Sequence, residues 1–529
     1  MSKKIKYLYL FVLTLLCSLF LVMCGKADKR LIDNNTASNE IVLKEVNYGT
    51  SDTIYDMDYQ KTLQKNVKSY KNEKSYTLNN PLIIVNPFRT NTTGLYVYFK
   101  SDGASYLKYS VHVSEARIND FERILYNGGK DNLTKEHEYT LVGLVAGMEN
   151  NIKFELYDKN SRLISEKYFS VMIPEMNENS DLIIKKEMGS SNEDLSEGLF
   201  ATLGHLKGKH HNSYYYDNDG VARSEITLDG YRIDNMIFKD NLMYISVNTS
   251  KIAALDRLGA VVSVYDLGNY EMHHDFIEGN NEDLLILVDD LNSDTEEDKV
   301  ISLNLKNKKI KEIIDMGDLL PEGLEKLDWI HLNSLYLSND NELLLSAREL
   351  STIINVKDIY KKPELNYMIG DKKFWEDTPY IDYVFEREGE FIINSGQHSL
   401  EVIKDDSLND SQYYLDFYNN NTGESKTNPN YEWINAEDVD ADSMYYKYLV
   451  DENNRTFTLV QEIIVPGSRY ISSVQDYKDH IIIDSGQSYV FMEYTKDGDL
   501  IAKYTLDEEI WGLYRCFKYD FNKFYFYEL

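Results

Sequence analysis

The feature that most constrains the fold is a strand–turn–strand unit that recurs over the last two thirds of the chain. In each unit a short alternating apolar run meets a turn rich in Asn, Asp, Gly or Lys, and a second run follows. The units lie at residues 216–220, 255–259, 303–307, 353–357, 417–423 and 493–498. Their separation fits a blade of about 40–50 residues with insertions and is too wide for the coils of a β-helix. The pattern therefore predicts an all-β fold with a six-bladed β-propeller, a large sandwich being the competing fold.

A second, more compact group of alternating apolar runs precedes this region. Its runs lie at residues 81–87, 94–99, 107–113, 152–157 and 171–174. Antiparallel strands at this spacing predict a small N-terminal β-sandwich domain over residues 81–175, followed by the propeller domain over residues 190–529. We expect residues 25–80 to form a polar tether and N-terminal segment with one helix near Asp56 to Lys68.

The first 24 residues have the pattern of an export signal. Basic residues precede an apolar run from Tyr7 to Met23, which ends at Cys24. The end of this run resembles a bacterial lipoprotein box, with Met23 where a small residue is usual, and the resemblance implies that Cys24 carries a lipid. An uncleaved anchor is the alternative, because the run is about long enough to span a bilayer. In both cases we expect an exported protein that its N-terminal lipid or signal anchor holds at the membrane or cell surface.

Charge and cysteine content exclude several classes of partner and site. The chain has 56 basic and 88 acidic residues, a net charge of −32. Because such a surface repels phosphate, we expect no nucleic-acid partner, and an anionic substrate would need a strong local basic site. Apart from Cys17 and Cys24 in the leader the chain has only Cys516, so neither a disulfide framework nor a cysteine-based zinc site is predicted.

Six of the ten histidines give no sign of a site. Four occur singly in strand or turn contexts, where a surface or hydrogen-bonded core role is the simplest interpretation: His112, His137, His205 and His480. His210 and His211 stand in a Lys- and Asn-containing segment that we interpret as a loop.

The other four histidines occur in polar phrases. These phrases are Met272-His-His-Asp275, Trp329-Ile-His-Leu-Asn-Ser334 and Ser395-Gly-Gln-His-Ser399, with Leu345-Ser-Ala-Arg-Glu349 close behind the second. Strand alternation predicts that His331 and Asn333 share a face, whereas His273 and His274 point to opposite faces. Imidazoles, an amide and a guanidinium that converge would form a pocket for a tetrahedral oxyanion. A histidine metal site is the rival interpretation.

Together and in this order, these phrases resemble the bacterial arylsulfotransferase family, which uses phenolic sulfates as donors. The motifs are His-His-Asp, Trp-x-His-x-Asn-Ser with a following Ser-x-Arg, and Gly-Gln-His. The resemblance covers both predicted domains and implies a six-bladed propeller behind an N-terminal sandwich. It also implies that no metal and no cofactor are required, and that a homodimer is possible.

The resemblance implies a role for each motif residue. His398 would be the nucleophile that carries the sulfuryl group transiently. The residues carried over as its catalytic partners are His274, His331 and Arg348. Asn333 would bind substrate, and His273 is the fallback for His274.

The function implied is an aryl-sulfate sulfotransferase with a ping-pong mechanism, in which His398 takes a sulfuryl group from a phenolic sulfate donor and passes it to a phenolic acceptor. A nucleotide donor is disfavoured, because residues 204–209 are one residue short of a phosphate-binding loop and lack its Ser/Thr. A non-catalytic surface propeller lipoprotein that binds glycan or protein partners is the alternative. A metal hydrolase is a third interpretation, which the apparent lack of carboxylates beside these histidines disfavours.

Overall fold

The computed structural model describes residues 42–44, 54–176, 181–204, 212–230, 232–320, 328–338, 341–433, 441–506 and 512–529. The predicted leader with Cys24 and the histidines at positions 205, 210 and 211 lie outside these residues. Within them, no helix has the length and apolar character that a membrane crossing requires.

The N-terminal domain consists of one helix and seven strands. The helix, α1, is Met57–Lys71, and the strands are β1 Val42–Lys44, β2 Leu82–Val85, β3 Leu95–His112, β4 Phe121–Ile124, β5 Thr134–Leu141, β6 Glu149–Tyr157 and β7 Leu163–Met172. The predicted helix is thus confirmed, and the side chain of Asp56 caps it by accepting a hydrogen bond from the Tyr59 amide at 2.8 Å.

The long strand β3 belongs to both layers of this domain. Its first half pairs with β2 and β5, and its second half pairs with β4 and β6. The two halves therefore place inward-facing side chains such as Phe99 and Tyr109 in one core. This arrangement agrees with the small antiparallel sandwich predicted from the sequence.

The remaining strands form six sheets. Blade 1 contains β9 Leu199–Leu203, β10 Ser213–Tyr216, β11 Ala222–Ile226 and β33 Arg515–Tyr519; blade 2 contains β12 Met236–Lys239, β13 Leu242–Asn248, β14 Lys251–Asp256 and β15 Val261–Asp266; blade 3 contains β16 Tyr270–Glu278, β17 Asp283–Asp290, β18 Lys299–Asn304 and β19 Ile310–Asp315. Blade 4 contains β20 Leu332–Leu337, β21 Leu343–Ala347, β22 Thr352–Lys357 and β23 Glu364–Ile369; blade 5 contains β24 Glu386–Glu388, β25 His398–Ile403, β26 Gln412–Asn419, β27 Ser443–Asp451 and β28 Thr456–Val465; blade 6 contains β29 Ser473–Tyr477, β30 His480–Ser485, β31 Val490–Thr495, β32 Leu500–Thr505 and, at its outer edge, β8 Lys185–Met188. The all-β fold with a six-bladed propeller is confirmed.

The blades pack face to face around a common axis. The innermost strands β16, β20, β25, β29 and β33 contact one another in that order. Middle strands are covered on both faces, so they consist of continuous apolar runs, as in the fully buried segment from Leu284 to Val288. The ring closes because the C-terminal strand β33 pairs with β9, the first strand of blade 1.

Two of the six predicted units differ in place from the other four. The turns at 216–220, 255–259, 303–307 and 493–498 join the third and fourth strands of their blades counted from the axis, whereas residues 353–357 lie within strand β22. The segment at 417–423 instead follows β26 and leads to β27, the third strand of blade 5 counted from the axis. This position brings its polar residues close to the propeller axis.

Asp275, in blade 3, is hydrogen-bonded to residues of three other blades at the axis. Its carboxylate accepts hydrogen bonds from Arg515 at 2.7 Å, from the Asn235 amide at 3.1 Å and from the Leu335 backbone at 3.4 Å. Arg515 and Asp275 form a buried ion pair whose side chains are only 4% and 6% exposed.

We predict that Asp275→Ala lowers the free energy of unfolding by about 3–5 kcal/mol, because it leaves the charge of Arg515 buried and unpaired. Chemical denaturation measures the change. Adding Arg515→Met to the same chain should recover part of the loss.

The control is Asp58→Ala, which breaks an ion pair with Lys61 whose side chains are 66% and 90% exposed. Such exposed pairs contribute little to stability, because solvent screens them. If the two single variants lose equal stability, Asp275 does not hold the blades together.

Candidate active site

Three innermost strands are irregular where the histidine phrases lie. His274 has φ 59°, His331 has φ 52°, and Ser399, next to His398, has φ 58°. The pairing shifts by bulges between Met272 and Phe276 and between His398 and Glu401. Non-glycine residues adopt this left-handed conformation only where the surroundings impose it, and such residues cluster at functional sites. The bulges turn side chains out of the regular strand alternation.

The imidazole rings of His273 and His274 lie against each other, so the expectation that they point to opposite faces is wrong. Their Nδ1 atoms lie 2.9 Å apart, one donating to the other. The left-handed backbone at His274 cancels the alternation on which that expectation depended. The ring of His274 also lies 4.8 Å, centroid to centroid, from that of His331.

The alternation argument also fails for the pair His331 and Asn333. The strand β20 begins only at Leu332, and its pairing with β21 shifts between Leu332 and Ser334. Asn333 is fully buried, and its amide donates a hydrogen bond of 2.8 Å to the carbonyl of Gln397. Asn333 therefore supports the backbone just before His398, and its role in substrate binding stays a prediction.

His398 is held in one tautomer. Its Nδ1 lies 2.7 Å from Oδ1 of Asn420 and 3.1 Å from the carbonyl oxygen of Gly396. The amide nitrogen of Asn420 donates to the carbonyls of Ser468 and Ile471 at 2.7 and 2.8 Å, which fixes the orientation of that amide. Both neighbours of Nδ1 are thus acceptors, so Nδ1 carries the hydrogen and Nε2 keeps its lone pair.

Burial and charge keep His398 neutral. Burial lowers its pKa most, and the charges of Arg348 and His331 lower it further, so that the pKa lies well below the usual 6.5. The side chain is 3% exposed. A neutral imidazole with a free Nε2 lone pair is a competent nucleophile.

His331, unlike His398, is protonated. Its Nδ1 lies 2.5 Å from Oε2 of Glu297 and 2.9 Å from Oδ2 of Asp328. Burial works to lower its pKa, but the charge of Glu297 and the two carboxylates that face Nδ1–H outweigh burial and raise the pKa to about 9. The same pairing lowers the pKa of Glu297 to about 2, against the effect of its own burial. At neutral pH, His331 is an imidazolium with its Nε2–H free for a substrate.

His274 is neutral for the same reason as His398. Burial, and then the charges of His331 and His273, lower the pKa of His274 well below the usual 6.5. The site therefore combines one cationic histidine with two neutral ones.

No sequence pattern pointed to Glu297 or Asn420 as site residues. The expectation that no carboxylates stand beside the histidines is wrong. Glu297 comes from the loop between β17 and β18, and its carbonyl accepts a hydrogen bond from the Leu332 amide at 2.9 Å. Asp328 could have been found, because it stands three residues before His331 in the same phrase.

Two groups of side chains have a spacing that a metal ion would need. They are His273, His274 and Glu297, and Glu297, Asp328 and His331. Metal bonds of about 2.0–2.2 Å at right angles would put two ligand atoms about 3 Å apart. The 2.5 Å contact between Nδ1 of His331 and Oε2 of Glu297 is shorter than this and fits an ion pair better than two ligands of one metal.

Arg348 completes the basic side of the site. Its Nη1 donates to Oε1 of Glu349 at 2.8 Å, and its guanidinium lies 4.5 Å from the centre of the Tyr470 ring. Arg348 and Tyr470 line a cavity of 660 Å³ beside the segment 423–433. A larger cavity of 760 Å³ lies at the outer strands β19 and β23 and contains none of the site residues.

The histidines set aside in the sequence have the roles expected of them where the structure describes them. His137 is buried, and its Nε2 bonds to Ser101 and Ser105 at 3.0 and 3.2 Å. His480 is buried against Glu493 at 2.6 Å, and His112 is exposed beside Asp120.

We predict that the ring of His331 stays protonated at pH 7 and titrates near pH 9, which nitrogen NMR of labelled histidine can follow. The charge of His331 stabilises the fold fully below its unfolded pKa of 6.5, and that contribution is lost as the pH rises through about 9. Glu297→Gln should lower the pKa of His331.

Glu296→Gln is the matched control, because Glu296 is the exposed neighbour in sequence. It should leave the titration of His331 unchanged. A neutral His331 ring at pH 7 in the unaltered protein would contradict the assignment.

Comparison with solved structures finds only distant likenesses. A Bacteroides fragilis protein assigned as a 6-phosphogluconolactonase is 12% identical with a TM-score of 0.36, covering 79% of this chain and 98% of its own. Virginiamycin B lyase from Staphylococcus aureus is 14% identical with a TM-score of 0.31, covering 61% and 100%. An auxiliary nutrient binding protein from Bacteroides ovatus is 8% identical with a TM-score of 0.32, covering 79% and 86%. At these scores the likenesses carry no argument about function.

No curated protein matches the chain. Two family models match it. The model of the arylsulfotransferase Ig-like domain matches residues 82–172, over the sandwich, and the arylsulfotransferase (ASST) model matches residues 185–510, over the propeller and its histidines. On this match, which covers more than half of its length, the chain belongs to the arylsulfotransferase family.

Proposed function

We propose that this protein moves a sulfuryl group from a phenolic sulfate ester to a phenolic acceptor through a sulfohistidine at His398. Membership of the arylsulfotransferase family supports sulfotransferase activity in general. The observation that carries the finer proposal is the opposed protonation of two histidines in one site, with His398 neutral and His331 cationic. Such a division between neighbouring titratable groups is how acid and nucleophile roles are separated at neutral pH.

In the first half-reaction, Nε2 of His398 attacks the sulfur of the aryl sulfate. The nitrogen–sulfur bond forms as the bond from sulfur to the phenolic oxygen breaks, and its electron pair leaves on that oxygen. The Nε2–H of His331 supplies the proton, so the product leaves as a neutral phenol. The positive charge that develops on the ring of His398 is stabilised at Nδ1–H by Oδ1 of Asn420.

The second half-reaction reverses these steps with a different phenol. The acceptor hydroxyl gives its proton to the now neutral His331 as its oxygen attacks the sulfur of the sulfohistidine. The nitrogen–sulfur bond breaks, and its electron pair returns to Nε2 of His398. His331 and His398 are then as they were at the start, so no other reactant is needed.

Arg348 and His274 supply the electrostatic part of the mechanism. The Arg348 guanidinium is a permanent cation beside His398, and His274 is a neutral imidazole beside His331. Groups fixed around a transferring anionic group stabilise its equatorial oxygens without reorganisation, as in phosphoryl transfer. A propeller that only binds glycans or proteins would have no need of this division of charge among buried histidines.

We predict that the protein releases nitrophenol from 4-nitrophenyl sulfate continuously only when a phenol is present, with the sulfate recovered on that phenol. Without an acceptor, the release should stop after about one equivalent per chain, because the sulfohistidine accumulates. His398→Ala should lower the transfer rate by more than about 10³-fold, as when other enzymes lose a covalent nucleophile.

His112→Ala is the control for this test, because His112 is an exposed histidine of the N-terminal domain. It should keep full activity. Continuous release without an acceptor would indicate a hydrolase, and near-normal transfer by His398→Ala would remove the assignment of the nucleophile.

We propose also that the protein is exported and held at the membrane through Cys24. The support is the sequence pattern of a basic start, an apolar run and a cysteine followed by polar residues. Cells that express the chain with a labelled fatty acid should incorporate the label, and Cys24→Ser should abolish incorporation. Label in the Cys24→Ser chain would contradict lipidation at this residue.

A further inference from the structure

One continuous segment of the chain forms most of the wall of the cavity beside Arg348. The wall is the segment 423–433, which follows Asn420, the residue that fixes the tautomer of His398. The remaining lining comes from Arg348 and Tyr470. Tyr470 lies between Ser468 and Ile471, whose carbonyls accept hydrogen bonds from the Asn420 amide, so the cavity adjoins the surroundings of His398.

Glu349 anchors one end of this wall. One of its oxygens accepts from Arg348, and the other accepts from the Ser425 hydroxyl at 2.7 Å and the Lys426 amide at 2.6 Å. Glu349 is 1% exposed, so these charge-assisted bonds are protected from water. The position of the wall is therefore coupled to that of Arg348.

Aromatic packing holds the other end. The rings of Tyr431 and Trp433 lie 4.5 Å apart, and Phe374 packs on Trp433 at 5.0 Å from the adjacent blade. The hydroxyl of Tyr431 donates to Asp371 at 2.7 Å. Tyr431, Trp433 and Tyr470 thus present three aromatic rings to one cavity.

Two donors in the lining have no partner in the described part of the chain. They are Nε1 of Trp433 and Nε of Arg348, in side chains that are 2% and 5% exposed. A buried donor without a partner is costly, and buried polar groups normally have one. Aromatic walls with a few unsatisfied polar groups are typical of small-molecule sites.

We propose that this cavity binds the aryl ring of the phenolic substrates, with Trp433 and Tyr431 as the residues that select the ring. The inference rests on the proposed function. It adds the place in the structure where the aromatic rings of the donor and the acceptor bind. The cavity volume of 660 Å³ falls within the range of about 300–1,000 Å³ for small-molecule sites, so phenols of more than one ring can enter.

The test compares Trp433→Ala and Trp433→Phe with the unaltered protein, using 2-naphthol as the acceptor. Trp433→Ala should raise the KM for 2-naphthol roughly tenfold or more, whereas Trp433→Phe, which keeps a ring, should stay within about threefold. The burst of nitrophenol at saturating donor should keep its amplitude in both variants, because His398 is untouched.

Tyr383→Ala is the matched control, since Tyr383 is an aromatic residue that lines the other, larger cavity. It should leave the KM unchanged. Thermal unfolding of each variant separates a loss of ring binding from a loss of fold, and Trp433→Phe provides the folded comparison.

A second measurement separates this proposal from the proposed function. Calorimetric binding of 2-naphthol to His398→Ala, which cannot turn over, should weaken roughly tenfold when Trp433→Ala is added. That result would support the cavity site even if no sulfuryl transfer were found. An unchanged Kd and KM in the Trp433→Ala chains would overturn the cavity site even if transfer were established.

Discussion

The closure of the propeller ring is the constraint on which the rest of the structure depends. The C-terminal strand β33 pairs with β9, so that six sheets face one axis and their innermost strands meet there. The four site histidines lie on or next to three of these strands, β16, β20 and β25. The buried pair of Asp275 and Arg515 shows how directly closure and site are connected, because it joins the last strand to the residue after His274.

The charges at the propeller axis differ from the acidic composition of the chain as a whole. The proposed donor is an anion, whereas the chain has a net charge of −32 and the site includes the carboxylates of Glu297 and Asp328. Both carboxylates contact Nδ1 of His331, so they stabilise the imidazolium while its Nε2 stays free. Asn420 makes the matching contact to His398 with a neutral acceptor, which fixes the tautomer without adding charge. The difference between a carboxylate and an amide partner is therefore the difference between a charged and a neutral imidazole, and in the proposed mechanism it separates the acid from the nucleophile.

The segment that follows β26 resembles the repeated turns of the propeller in composition but differs from them in position and contacts. Its Asn- and Gly-rich turn has the same composition as the hairpin turns of other blades, but it lies between the second and third strands. From there it supplies Asn420 to His398 and the aromatic wall to the cavity beside Arg348. Loops on a rigid scaffold commonly carry function, because they can vary without disturbing the sheets.

The sequence by itself determined the all-β class, the six blades, the helix near Asp56 and the identity of the motif histidines. These depend on local periodicity and on short phrases, which a linear sequence displays directly. It could not determine that His273 and His274 share one place, because a bulge breaks the alternation that the prediction assumed. Nor could it find Glu297 or Asn420, which reach the site from separate loops. Which histidine is charged and which is neutral was decided only by the tertiary structure, since a pKa depends on burial and on neighbours brought together by folding.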